Sequence, residues 1–150
     1  MKNIKEISTS RIVKIALFTA LIIVGTYIKI ETPAMSFTLQ FLFVILAGLV
    51  LGKNDGVVCV AVYILIGLLG VPVFARGGGF SYVVQPSFGY IVAFLPTVFI
   101  AGCFSERKRG AQIGGLLVAL LVEYLIGAAY SWLISKLYLG DDIGMRQIMT

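Results

Sequence analysis

Five long apolar runs, almost free of charged residues, are the strongest constraint on how this 150-residue chain can fold. A helix that crosses the roughly 30 Å hydrocarbon core of a bilayer needs about 20 mostly apolar residues. The runs predict five membrane-spanning helices, at about residues 11–29, 37–53, 56–73, 87–104 and 111–138. We therefore expect an all-α membrane protein, a bundle of five helices that forms a single transmembrane domain over residues 1–150.

The composition supports a lipid environment and argues against a soluble domain. Hydrophobic residues make up 59% of the chain, charged residues make up 13%, and the mean hydropathy is +1.02. Soluble domains carry about 25% charged residues, and a soluble fold of this size would expose its surplus apolar side chains to water. The net charge of +5 does not indicate nucleic-acid binding, because the basic residues lie between the apolar runs, as membrane flanks do.

The distribution of Lys and Arg predicts the orientation in the cell membrane. Cytoplasmic loops of membrane proteins carry an excess of these residues. With a cytoplasmic N-terminus, the inner segments hold eight of the 12: Lys2, Lys5, Arg11, Lys14, Lys53, Arg107, Lys108 and Arg109. The outer segments hold the other four: Lys29, Arg76, Lys136 and Arg146. The first run is basic at its start, like a signal peptide, but no cleavage site follows it and four more runs do.

The residue inventory argues against an enzyme. The chain has no His, and its two cysteines, Cys59 and Cys103, lie far apart within apolar runs, where we expect small buried hydrophobes. We find no nucleophile–base pair, metal cluster, cofactor fingerprint or nucleotide-binding motif. We therefore expect no cofactor, and any ATP-driven work requires a separate protein.

Two unusual connectors fall on the predicted outer face and suggest a site that opens outward. One reads KIETPAMSFTLQ and the other FARGGGFSYVVQP. In the second, three glycines let main-chain N–H groups approach a ligand. The guanidinium of Arg76 can bind a carboxylate through two parallel hydrogen bonds. A flexible linker with a membrane-flanking cation explains the same residues. Side chains able to hydrogen-bond a small polar group lie near the predicted interface: Thr38, Gln40, Gln85, Ser87 and Tyr90.

Two further features within the spans allow both a structural and a functional interpretation. Ala16 and Ala20 are four residues apart, a spacing of small residues that lets another helix approach closely, from this chain or from a partner subunit. Glu123 lies near the middle of the last span, where an ionisable residue is a candidate for function. Glu123 can contact a ligand or form a structural hydrogen bond to Tyr63, Tyr90 or Thr97.

Three stretches of the sequence resemble the BioY family, the biotin-specific S components of energy-coupling-factor (ECF) vitamin transporters. These stretches are SFTLQFLFVILAGLVLGKNDG, YILIGLLGVPVFARGGG and QPSFGYIVAF, and the similarity runs from about residue 16 to residue 102. The resemblance implies a membrane subunit that binds biotin from outside and docks, through Ala16 and Ala20, on an ECF transmembrane coupling subunit driven by two ABC ATPase subunits. It also implies six helices. We find no segment resembling the Pro-Gly-Asp-Leu-x-Lys opening of the family's last helix before Thr150, so we expect either a fragment of a longer protein or a degenerate member that lacks this helix.

The resemblance implies roles for particular residues. Gln40 or Ser87 would serve the ureido head of biotin, and Arg76 with the glycine N–H groups would take its carboxylate. The full set of candidate binding residues is Gln40, Phe74, Arg76, Gly77, Gly78, Gly79, Phe80, Tyr82, Ser87, Tyr90 and Glu123. Two other functions stay open, because a shared architecture does not fix a ligand: an S component for another vitamin, and a structural or regulatory membrane protein that transports nothing.

Overall fold

A computed structural model describes residues 8–31 and 36–139 of the chain. Its elements, in chain order, are α1 (Thr9–Tyr27), β1 (Lys29–Glu31), β2 (Ser36–Thr38), α2 (Gln40–Leu68), a 3₁₀ turn (Phe80–Val84), α3 (Phe88–Cys103), α4 (Arg109–Ile134) and a π-helical turn (Ser135–Leu139). The strands form one short antiparallel pair, with Lys29 opposite Thr38. The fold is helical as predicted, and this pair of three-residue strands is an addition that the sequence did not predict.

Within the described residues, three helices are long and apolar enough to cross a membrane: Thr9–Tyr27, Gln40–Leu68 and Arg109–Tyr138. The fourth apolar helix, Phe88–Cys103, is shorter, with 16 residues. Many large apolar side chains lie on the outside of the described bundle, among them Leu65, Leu117 and Leu125, each about 60% exposed. Such a surface suits hydrocarbon and would aggregate in water.

Helix α2 is broken at Gly52, where the chain turns back on itself. Gly52 has φ +79° and ψ 175°, a conformation that a side chain would strain. Beyond the break, Gly56 packs against the main chain of Gly48, and Tyr63 interacts with Gln40 near the start of the helix. The arms 40–51 and 53–68 therefore lie antiparallel, as the predicted spans 37–53 and 56–73 require.

Two predicted span boundaries differ from the observed helices. The second span begins at residue 37, but residues 37 and 38 lie in β2, and α2 begins at Gln40. The span predicted to end at residue 73 ends as a helix at Leu68, because Gly70, with φ +104°, and Pro72 cannot continue it. Residues 69–87 instead form an irregular segment, here called the long connector, which joins α2 to α3. Lys2, Lys5 and Arg146, which contribute to the predicted orientation, lie outside the described residues.

The helices pack in chain order, with α1 against α2, α2 against α3, and α3 against α4. The long connector and the two strands lie at one end of this bundle, here called the loop end. The turns at Gly52 and at residues 104–108 lie at the opposite end, here called the turn end. There, Arg11 donates to Asp55 from Nε (2.8 Å) and Nη2 (2.5 Å), which ties the start of α1 to α2.

The two cysteines differ in their surroundings. Cys59 is fully buried and lies 3.4 Å from the Thr19 hydroxyl, across the α1–α2 contact. Its burial confirms the prediction. Cys103 is exposed, so the prediction of burial was wrong for this residue. It is the last residue of α3 and directly follows the buried Ala101 and Gly102.

Candidate functional site

The long connector folds tightly over the loop end of the bundle. Phe74 and Gly77 exchange two main-chain hydrogen bonds of 2.9 and 3.1 Å, and Gly79 N–H donates to the Gly67 carbonyl at 2.7 Å. A Cβ at Gly78 would collide with the carbonyl oxygen of Val71. The central glycine of Gly77, Gly78 and Gly79 is therefore required by a close approach of two main-chain segments.

An aromatic cluster lies beneath the connector, with Phe74 at its centre. The Phe74 ring is 1% exposed and contacts Tyr63 (5.6 Å between ring centroids), Tyr82 (4.8 Å) and Phe88 (6.2 Å). The structure thus brings together Phe74 and Tyr82, both predicted site residues. Phe80, also a candidate binding residue, is 78% exposed and lies outside this cluster.

A buried amide lies next to the aromatic cluster. Gln40 is 4% exposed, and its Nε2 has no hydrogen-bond partner among the described residues. Its neighbour Tyr63, which also faces Thr26, donates its hydroxyl to the carbonyl of Val73 at 3.1 Å. An unsatisfied buried amide N–H is costly, so this position favours an added acceptor.

Arg76 lies at the tip of the connector turn between Phe74 and Gly77, and its side chain is exposed. Within residues 8–31 and 36–139 it makes no ion pair. Its guanidinium is free to receive a carboxylate from solution. Arg76 is exposed on the connector, whereas Gln40 is buried. The predicted glycine N–H groups are not all available to a ligand, because those of Gly77 and Gly79 donate to the carbonyls of Phe74 and Gly67.

Ser87 and Tyr90 extend the candidate site along the first turn of α3. The Ser87 hydroxyl donates to the Tyr82 hydroxyl at 3.3 Å. Tyr90 is half-buried and contacts the Tyr124 ring edge to face, with 6.2 Å between centroids. Ser87 therefore belongs with the aromatic cluster, and Tyr90 faces α4.

Glu123 is buried between α3 and α4, and its Oε2 has no hydrogen-bond partner in the described part of the chain. Of its three predicted partners, Tyr90 interacts with it electrostatically. Thr97 instead donates to the Ala119 carbonyl (3.5 Å), and Tyr63 donates to Val73. In the described part of the chain, neither Tyr63 nor Thr97 therefore makes the hydrogen bond to Glu123 that the sequence allows.

Ala16 and Ala20 both lie on the exposed face of α1, with Val13, Leu17 and Val24. The opposite face, which includes Thr19 and Ile22, packs against α2. No described helix covers the alanine face. The structure thus favours a surface for another molecule or lipid over packing within the described part of the chain.

Several hydroxyl groups at the loop end were not predicted from the sequence. Thr26 is 1% exposed and lies beside Tyr63 and Gln40. Tyr27 and Tyr130 donate to main-chain carbonyls of the long connector. These residues could have been predicted from the sequence, because they are hydroxyl-bearing residues near the same predicted end of separate apolar runs. Among the described residues, no group of three or more His, Cys, Asp or Glu could hold a metal ion.

Comparisons with known proteins identify the family. Residues 1–149 match the model of the BioY family. The probable biotin transporter BioY of Lysinibacillus sphaericus is 43% identical, over 89% of this chain and 73% of that protein. The protein of the same name from Pyrococcus horikoshii is 44% identical, over 79% and 71%. The biotin transporter BioY of Thermotoga maritima is 43% identical, over 66% and 59%.

A solved structure has the same fold. It is the crystal structure of the S-component for biotin from an ECF-type ABC transporter, with a TM-score of 0.62 and 24% identity, over 99% of this chain and 82% of that chain. The relatives are named as transporters, which confirms the expectation that the chain is not an enzyme. Together with the three apolar helices, they identify a membrane protein. Since the family model matches nearly every residue and three relatives exceed 40% identity, the chain belongs to the BioY family.

Proposed function

We propose that this chain is a membrane subunit for biotin uptake, which captures biotin at the outer face of the cell membrane. The observation that carries the proposal is the unpartnered Gln40 amide, buried beside the aromatic cluster and under a glycine connector that presents a free Arg76. Binding sites for small molecules combine apolar walls with a few placed polar groups in this way. The relatives' names supply the ligand.

The chemistry of biotin matches the proposed site group by group. Its ureido carbonyl can accept from Gln40 Nε2, and Ser87 is the second candidate for the ureido head. Phe74 and Tyr82 provide apolar walls for the thioether ring, with Phe80 and Tyr90 at the margins. The valerate carboxylate pairs with Arg76 and, of the three glycine N–H groups, with that of Gly78, because the Gly77 and Gly79 N–H groups already donate to the carbonyls of Phe74 and Gly67. Glu123, deeper along α4, is the candidate for a further polar contact with the ligand.

We propose that five helical segments span the membrane, with the loop end outside and the N-terminus in the cytoplasm. The reversal at Gly52 supports counting the two arms of α2 separately. The 16 residues of α3 cover about 24 Å, close to the thickness of the hydrocarbon core. Arg11, Lys14, Lys53 and the basic residues 107–109 then lie at the cytoplasmic face.

Delivery of biotin is proposed to require an ECF transmembrane coupling subunit and two ABC ATPase subunits. The exposed Ala16 and Ala20 support docking on α1, since small residues let a second helix approach closely. The solved neighbour comes from an ECF-type ABC transporter by name.

Calorimetric titration of the purified chain in lipid nanodiscs tests the ligand. We expect heat of binding with biotin and none with a panel of other vitamins. Binding of a different vitamin would favour an S component of other specificity. No binding to any of them would favour the third candidate, a structural or regulatory membrane protein.

The same titration, carried out on an Arg76 variant, tests whether Arg76 pairs with the carboxylate of biotin. Arg76→Ala is expected to weaken biotin binding by at least about tenfold, because a charge-assisted hydrogen bond is lost. The thermal midpoint should stay unchanged, since the side chain is exposed and unpaired. Lys136→Ala, which removes a cation at the same end of the bundle, is the control. Equal affinity of the Arg76 variant and the wild-type chain would remove Arg76 from the site.

A further inference from the structure

The long connector is held at its first half by hydroxyl groups from two helices. Tyr27, at the end of α1, donates to the carbonyl of Pro72. Tyr63, on α2, donates to the next carbonyl, that of Val73, at 3.1 Å. These bonds fix the start of the connector to the helices that precede it in the chain.

The second half of the connector, residues 80–87, is held by α4 instead. The Tyr130 hydroxyl donates to the Val83 carbonyl at 2.5 Å, and the Ser131 hydroxyl donates to the Pro86 carbonyl at 2.9 Å. The two donors are consecutive residues near the end of α4, whose main packing partner is α3. These bonds therefore link α4 directly to the segment that carries Tyr82.

The sequence explains why Val83 needs a donor from elsewhere. In a 3₁₀ turn, each carbonyl accepts from the N–H three residues later. For Val83 that residue is Pro86, which has no N–H. The Tyr130 hydroxyl takes the place of the missing donor. A tyrosine 47 positions away thus completes the hydrogen bonding of the turn.

The position of the Tyr130 hydroxyl is fixed by packing that does not involve the connector's carbonyls. Its ring lies 6.1 Å from the Phe88 ring between centroids, and its Cβ region lies against Gly89, where a side chain would collide with it. The ring is thus anchored on α3. A phenylalanine at this position can keep the ring contacts and lose only the donor.

We propose that Tyr130, assisted by Ser131, is a positioning residue for ligand binding. It holds residues 80–87, and with them Tyr82 and Ser87, over the site beside Gln40. The residence time of the ligand then depends on the loop end of α4, although Tyr130 acts through the connector main chain. The part of this inference that concerns the ligand rests on the proposed function.

Hydrogen exchange of the purified full chain in lipid nanodiscs, without ligand, tests the positioning. Loss of one hydrogen bond changes a local opening equilibrium by about fivefold. We expect Tyr130→Phe to speed amide exchange in residues 80–87 by about that factor and to leave residues 70–79 unchanged. Ser131→Ala should act on the same peptides. Tyr138→Phe, at an exposed tyrosine, is the matched control.

Biotin kinetics test the consequence for the ligand. Tyr130→Phe should raise the dissociation rate of biotin about fivefold and leave the association rate and the thermal midpoint unchanged. Unchanged exchange in residues 80–87, or an equal rise throughout α3 and α4, would overturn the positioning role. Faster local exchange with an unchanged dissociation rate would overturn the role in ligand retention. Absence of biotin binding would refute the ligand part together with the proposed function, while the exchange result still decides whether Tyr130 positions the connector.

Discussion

At the scale of single residues, the loop end contains a buried side-chain amide, that of Gln40, whose Nε2 has no hydrogen-bond acceptor in the described fold. Gln40 is 4% exposed, and its Nε2 lacks a partner in the part of the chain that the structure describes. A buried donor without an acceptor costs about 1–3 kcal/mol. Such a cost suits a residue that meets its acceptor on a ligand, because binding then restores the missing hydrogen bond.

Gln40→Leu separates the effect of the buried amide on the stability of the chain from its effect on biotin affinity. The substitution keeps much of the side-chain volume and removes the unpartnered amide, so the ligand-free chain should be equally stable or more stable. Biotin affinity should fall by at least about tenfold, because the ligand loses its donor. Thermal unfolding and calorimetric titration in nanodiscs measure the two effects.

The matched control is Gln112→Leu at the turn end, where Nε2 donates to the Ser105 carbonyl at 2.8 Å. This variant should lose some stability and keep its biotin affinity. If Gln40→Leu behaves in the same way, its amide has a structural role, and the ligand assignment for Gln40 is wrong.

At the scale of elements, the charge-free runs of the sequence predicted the helices. The conformation of the long connector could not be predicted from the sequence. The runs at residues 11–29 and 87–104 agree with α1 and α3 within two residues, because lipid-exposed segments must satisfy their own main-chain groups. The geometry of the connector depends on hydroxyls from distant residues such as Tyr130, which no local pattern specifies.

Only some of the residues at the candidate site could be predicted from the sequence. Phe74, Tyr82 and Ser87 come together, since all three lie on the long connector and Tyr82 contacts both of the others. Phe80 lies apart because the 3₁₀ turn directs successive side chains to different sides, and periodicity arguments do not reach so short an element. Thr26 was missed because hydroxyl residues inside an apolar helix commonly bond their own main chain, as Thr26 does to Ile22 (3.0 Å).

The break at Gly52 is the element-scale feature most open to test. Gly52→Ala places a side chain at φ +79° and ψ 175°, a region nearly confined to glycine, which costs about 1–3 kcal/mol for other residues. A Cβ at this position would meet no atom within 4 Å, so the effect isolates backbone strain from collision. The variant should unfold at lower temperature or lower denaturant concentration than the wild-type chain.

Gly114→Ala is the control for this substitution, because its Cβ also meets no atom within 4 Å but its backbone is helical. It should leave the chain as stable or stabilise it by up to about 1 kcal/mol, from the higher helix propensity of Ala. Equal stability of the Gly52 and Gly114 variants would show that α2 does not reverse through a left-handed residue.

At the scale of the whole molecule, the two proposed tasks lie on different parts of the bundle. In the proposal, the ligand binds at the loop end, where the long connector covers Gln40 and the aromatic cluster. The proposed docking surface is the exposed face of α1 that carries Ala16 and Ala20, which continues toward the turn end and the Arg11–Asp55 ion pair. This separation predicts that docking can be abolished without loss of biotin binding.

Ala16→Leu with Ala20→Leu tests the separation. The larger side chains would enter space that no described helix occupies, so folding and biotin affinity of the isolated chain should match the wild type. Co-purification with the coupling subunit and ATPases, and biotin uptake by cells that express all subunits, should fall at least tenfold, because bulky residues prevent close helix approach. The control, Val24→Leu, changes an exposed residue on the same helix near the loop end and should preserve uptake. Undiminished uptake by the double alanine variant would place the docking surface elsewhere, whereas a parallel loss of biotin affinity would show that the two surfaces are not independent.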